Sequence, residues 1–118
     1  MTALEFIGLL AASIAAALVV HEAGHALAAK ALGGEGLRVV LGWPAVRVEV
    51  KLPAGKEIEA AFLVAGVMAN LGAAGAMAQT SSSSFHVAAI VQLVSVVVNV
   101  LPLGTSDGAR LIGLLRRK

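Results

Sequence analysis

The sequence predicts a membrane all-α core, with three transmembrane helices and a β-hairpin inserted between helices 1 and 2. Three observations carry this. First, hydrophobic residues make up 58% of the 118-residue chain and charged residues only 14%, whereas a soluble domain carries about 25% charge. Second, no charged residue falls between Phe6 and Val20, or between Ala60 and Ser106, and roughly 20 apolar residues at 1.5 Å each span a hydrocarbon core about 30 Å thick. Third, between the apolar blocks Val46, Val48, Val50 and Leu52 alternate with Arg47, Glu49 and Lys51. That period of two, with β-branched residues, is the signature of a half-buried strand.

The elements follow in order. The first helix is expected over residues 4–32, ended by Gly33-Gly34. A hairpin is expected over 37–52, its two runs joined by Gly42-Trp43-Pro44-Ala45, with Trp43 an anchor at the membrane interface. The second helix is expected over 58–79, the third over 85–103 with Pro102 weakening its end, and a short amphipathic helix over 108–116. The Ser-rich connection Thr80–Ser84 reads as a loop. Gly66, Gly72, Gly75 and the many Ala residues are read as small residues that let helices approach closely. Gln92 and Ser95 are taken to face a neighbouring helix, without a chemical role. The sequence shows no internal repeat and no second domain, so 1–118 reads as one membrane-embedded unit.

Composition narrows the function. The apolar bias excludes disorder. The absence of Cys excludes a disulfide framework and thiolate metal sites. A net charge of +2 from nine Lys and Arg, with 3% aromatic residues, lacks the clustered basic face of a nucleic-acid reader. The first apolar segment has no basic flank ahead of it and runs straight into further helix, unlike a cleaved signal peptide. Lys30, Arg38, Arg47, Lys51 and Lys56 lie in the first connection, and Arg110, Arg116, Arg117 and Lys118 at the C-terminus. The positive-inside rule then places the N-terminus outside, with hairpin and C-terminus cytoplasmic.

The first helix carries His21-Glu22-Ala23-Gly24-His25. Positions i and i+4 share one helical face, so both imidazoles can hold one metal ion, with Glu22 beside it to deprotonate a bound water. This is the H-E-x-x-H arrangement of zinc hydrolases. His21 lies about 13 Å of helix from Lys30, a depth where an unpaired carboxylate is costly and ionisable groups are functional by default. Such a site needs a third protein ligand and an open position. Asp107 is the acidic residue left beside the apolar segments, apart from Glu5 and the hairpin acids. Locally it reads equally as the N-cap of the last helix, and the His pair decides for ligation. Two His and a carboxylate also suit iron. His86, at the start of the third helix, is expected at the opposite membrane face. Asn70 lies 11 residues from Glu59 and Asn99 lies 11 residues before Arg110, each about 16 Å of helix and close to the depth of His21. Asn70 reads as a substrate contact or an interhelical hydrogen bond, and Asn99 as orienting substrate or the Asp107 turn, with helix glue again the rival.

The His21–His25 motif, the hairpin, and the later run Asn99-x-x-Pro102-x-x-x-x-Asp107-Gly108 together resemble the site-2 protease family of intramembrane zinc proteases, over about Leu4 to Leu115. The family's middle-helix motif G-P-x-x-N matches Gly66-Val67-Met68-Ala69-Asn70, with Val67 where Pro is usual, and Ser106 stands where a Leu often precedes the Asp. The resemblance implies Zn²⁺ held by His21, His25 and Asp107. Family members usually carry extra helices or a regulatory domain, so self-association or a membrane partner is expected to control access here.

The expected function is therefore hydrolysis of a peptide bond in or near a transmembrane segment of a membrane-protein substrate, with Glu22 as base and Asn70 and Asn99 at the substrate. The alternatives are a catalytically silent membrane scaffold of the same fold, a small ion-conducting or transport subunit, and, more remotely, a soluble zinc hydrolase.

Overall fold

A computed structural model describes residues 1–42, 45–104 and 106–117. The element order is α1 (Ala3–Ala31), β1 (Glu35–Gly42), β2 (Ala45–Lys51), α2 (Lys56–Ala78), α3 (Ser83–Val100) and α4 (Asp107–Arg116). The protein is mostly helical, with a two-stranded antiparallel hairpin between the first two helices. Helices α1, α2 and α3 are each long and apolar enough to cross a membrane. Large apolar side chains such as Ile7, Ile14, Val19, Leu27, Ile90 and Val97 are exposed along them, as contact with lipid requires.

Local chemistry explains the boundaries. Thr2 and Glu5 form a reciprocal capping box that starts α1. Helix α3 stops at Val100, three residues short of the expected end. Its C-cap Leu101 is extended at ψ 134°, because the residue before a proline is driven out of the helical region. The early stop lets α4 pack back against the bundle. Ser106 caps α4: its Oγ accepts from Ala109 N at 3.2 Å and donates to Leu101 O at 2.6 Å. Asp107 is thus not the N-cap, and its carboxylate is free to point elsewhere.

The hairpin registers Val39 opposite Val48 and Val40 opposite Arg47, with an irregularity between Glu35 and Arg38. It begins at Glu35, two residues before the expected start. Trp43, expected to anchor the turn, lies outside the described residues. The apolar core gathers at the hairpin end of the bundle, where Ala29, Phe62, Leu63 and Leu114 are buried against Leu32, Val50 and Leu52. This cluster fixes α1, α2, α4 and β2 to one another. Of the three glycines expected at helix contacts, only Gly66 meets a neighbour; Gly72 and Gly75 face open space.

Candidate metal centre

Helix α1 presents His21 and His25 on one face, toward α2 and α4, and both are buried. The early end of α3 and the Ser106 cap bring Asp107, in the first turn of α4, against this pair. Its Oδ2 stands 2.8 Å from His21 Nε2 and 2.8 Å from His25 Nε2. The two Nε2 atoms are 3.1 Å apart. Three atoms from residues up to 86 positions apart thus form one small triangle.

The far side of each ring fixes its tautomer. His21 Nδ1 lies 2.9 Å from Asn70 Oδ1, and His25 Nδ1 lies 2.8 Å from the carbonyl oxygen of Phe62. Asn70 cannot be turned the other way, since its Nδ2 donates to Ala17 O at 3.0 Å and to Gln92 Oε1 at 2.5 Å. Each Nδ1 therefore carries a proton and donates it, which leaves both Nε2 lone pairs aimed at Asp107 Oδ2. Protonating both Nε2 atoms as well would set two imidazolium rings edge to edge in a buried site. A bound cation satisfies all three lone pairs at once. Nδ1–H donation to a carbonyl or amide oxygen is also the usual outer support of a metal-bound imidazole. Donor atoms around a tetrahedral zinc stand roughly 3.3 Å apart, so the triangle fits such an ion after opening by a few tenths of an ångström.

Glu22 lies alongside. Its carboxylate oxygen and the ring nitrogens of His21 and His25 fall within 4.8 Å of one another, so this trio could hold a metal ion. Asp107 touches both Nε2 atoms, whereas Glu22 Oε2 accepts a hydrogen bond from Val48 N at 2.8 Å. Arg110 Nη1 is 3.7 Å from Asp107 Oδ1.

The triangle opens into a cleft of about 780 Å³, bordered by Val46–Val50 of β2, by α1 and by Asn99, Asp107 and Arg110. Among the described residues β2 pairs with β1 alone, and its other edge faces this cleft. There the Val48 N–H meets Glu22.

The structure thus brings His21, Glu22, His25 and Asp107 together and places Asn70 behind His21. Asn70 has no exposed surface, and its oxygen and amide nitrogen are engaged inside the protein. Asn99 lines the cleft, with its Nδ2 bonded to Ser95 O at 2.8 Å in its own helix. His86 sits in the first turn of α3, at the end far from Asp107, with its Nε2 2.7 Å from Thr80 O. Two residues expected only to pack also border the site. Gly66 lies directly under the imidazole pair, where a Cβ would stand 2.6 Å from His25 Nε2. Gln92, without exposed surface, contacts Asn70; its one signal in the sequence was an amide inside an apolar run. Compared with protein-family models, with curated proteins and with solved structures, the chain shows no match.

Proposed function

We propose that the protein is a membrane-embedded metallohydrolase that cleaves a peptide bond in or next to a transmembrane segment of another protein. The observation that carries this reading is the convergence of His21 Nε2, His25 Nε2 and Asp107 Oδ2, lone pairs inward, beside a glutamate and under an open cleft. His21, His25 and Asp107 would hold the ion, and zinc is the species their chemistry and the family resemblance favour. When bound, the ion supplies a Lewis acid and lowers the pKa of its water toward about 7.

The remaining steps belong to the chain. Glu22 accepts the proton of the attacking water and returns it to the leaving amine. Asn70 holds the His21 ring. Asn99 borders the space where substrate lies, within reach of the backbone of a bound segment. A helical substrate hides its carbonyls, so it must be drawn out as a strand, and the free edge of β2 offers backbone groups for pairing. A strand pairing there competes for the Val48 N–H that Glu22 now holds. The distribution of Lys and Arg favours a hairpin and C-terminus in the cytoplasm, with the N-terminus outside, so water enters from the cytoplasmic side.

The test is Glu22→Gln in detergent-purified protein and in cells co-expressing a membrane substrate. The variant should retain one zinc per chain and lose cleavage by at least ~100-fold, the lower range for a general base. Undiminished cleavage removes Glu22 as base. Zinc binding without cleavage in the wild type would instead identify a silent scaffold.

A further inference from the structure

We infer that Gln92 is a positioning residue of the metal centre: its side-chain oxygen, acting through Asn70, holds the His21 imidazole with Nε2 turned toward the ion. The inference rests on the metal-binding reading above and extends it to a residue that touches neither metal nor cleft.

Gln92 lies in α3 within the run Val87–Val98, whose other polar residue is Ser95. It is one of two buried residues on that helix, the other being Ala89, and it has no exposed surface. An amide in this setting is costly unless its polar atoms are bonded. Only half of it is. Oε1 accepts from Asn70 Nδ2 at 2.5 Å, while Nε2 has no partner among the described residues. The contact to Asn70 is thus the one polar contact of this side chain among the described residues.

What that oxygen accomplishes follows from the proton count on Asn70. Its Nδ2 has two hydrogens, one given to Ala17 O on α1 and one to Gln92 Oε1 on α3. With two acceptors on that side, a reversed amide would set Oδ1 against two oxygens and Nδ2 against the Nδ1–H of His21. The amide is therefore locked with Oδ1 toward His21. That in turn locks the ring as the Nδ1–H tautomer and leaves Nε2 free for a metal. Removing Gln92 Oε1 leaves Ala17 O as the one acceptor opposing the reversed amide.

The experiment uses full-length protein in detergent, as wild type, Gln92→Leu, Gln92→Met and Gln92→Glu. Leu and Met remove the acceptor and also the unpartnered donor, so helix content by circular dichroism should be unchanged. Glu keeps an acceptor oxygen at the same place. Zinc affinity is read by competition with a chromophoric chelator. The His21 tautomer is read in metal-free, ¹⁵N-histidine-labelled protein by long-range ¹H–¹⁵N correlation. Zinc binding should weaken about tenfold in the Leu and Met variants, the low end for an outer-shell partner. His21 should change from one tautomer to a mixture, and Glu should restore both readings. Wild-type affinity with an unmixed tautomer in the Leu and Met variants overturns the inference, and so does a Glu variant as weak as Leu. Absence of zinc binding by the wild type would instead overturn the underlying metal reading, so the two failures are distinct.

Discussion

Replacing Gly66 with alanine asks whether the three donors are held where an ion needs them. A Cβ at this position would stand 2.6 Å from His25 Nε2, 2.7 Å from His21 Cε1 and 2.8 Å from His21 Nε2. Ordinary contact begins at 3.4 Å, so one methyl group intrudes by roughly 0.6–0.8 Å on both rings at once. Neither ring can retreat freely. His21 is tied through Nδ1 to Asn70 and His25 through Nδ1 to the Phe62 carbonyl, and both Nε2 atoms already lie 2.8 Å from Asp107. Making room for the methyl moves the Nε2 atoms by more than the roughly 0.2 Å within which metal–ligand distances match their ideal values. Forcing a methyl into fixed packing also costs about 1–3 kcal/mol. Zinc affinity of Gly66→Ala, measured by chelator competition, should fall by at least ~100-fold, beyond the loss from a single outer-shell contact. The metal-free protein should unfold at lower temperature. Gly72→Ala and Gly75→Ala, each facing open space, are the controls and should leave zinc affinity unchanged. Wild-type zinc affinity in Gly66→Ala would show that the rings yield to a methyl, and the claim of a preformed site would fall.

Two further substitutions separate the metal reading from a purely structural one. Asp107→Asn keeps the shape and removes the charge. Its amide can donate to the Nε2 lone pairs, so stability in excess chelator should stay within about 1 kcal/mol of wild type while the zinc-dependent gain in melting temperature disappears; a loss of ~3–5 kcal/mol in chelator would mark a structural ion pair instead. Gly108→Ala would drive a Cβ into the Val100 carbonyl at the end of α3. That contact is backbone and cannot yield, so α4 must move with Asp107, and both thermal stability and zinc affinity should drop, with the metal-free protein destabilised by at least ~1 kcal/mol.

How much of this was legible in the sequence depends on whether a feature is local. The helices were visible because absence of charge over some 20 residues is a property of consecutive positions, and the second strand because Val46, Val48 and Val50 alternate with charged residues. The imidazole pair was visible for the same reason: four positions on a helix fix a shared face. α3 ends three residues before the expected position, because Pro102 restricts Leu101 ahead of it and not only its own position. That small difference matters, since the early stop is what lets the chain turn back toward α1. Asp107 could be matched to the His pair by chemistry, but not distinguished from a cap, until Ser106 was seen to do the capping.

The features that stayed hidden are contacts between elements far apart in sequence. Nothing near Gly66 says that two rings lie over it, and nothing near Gly108 says that a carbonyl closes on it. Gln92 meets Asn70 across 22 residues, and Asn70 meets His21 across 49. Only the packing of α1, α2 and α3 turns three separate polar residues into one line of hydrogen bonds. That line argues against Asp107 and the two His residues being mere interhelical glue. Glue needs each polar atom to find some partner, whereas here the acceptors behind the rings are arranged so that the lone pairs in front have none but one another. An arrangement that leaves three acceptors facing inward in an apolar bundle is unstable in itself, and a cation removes that instability.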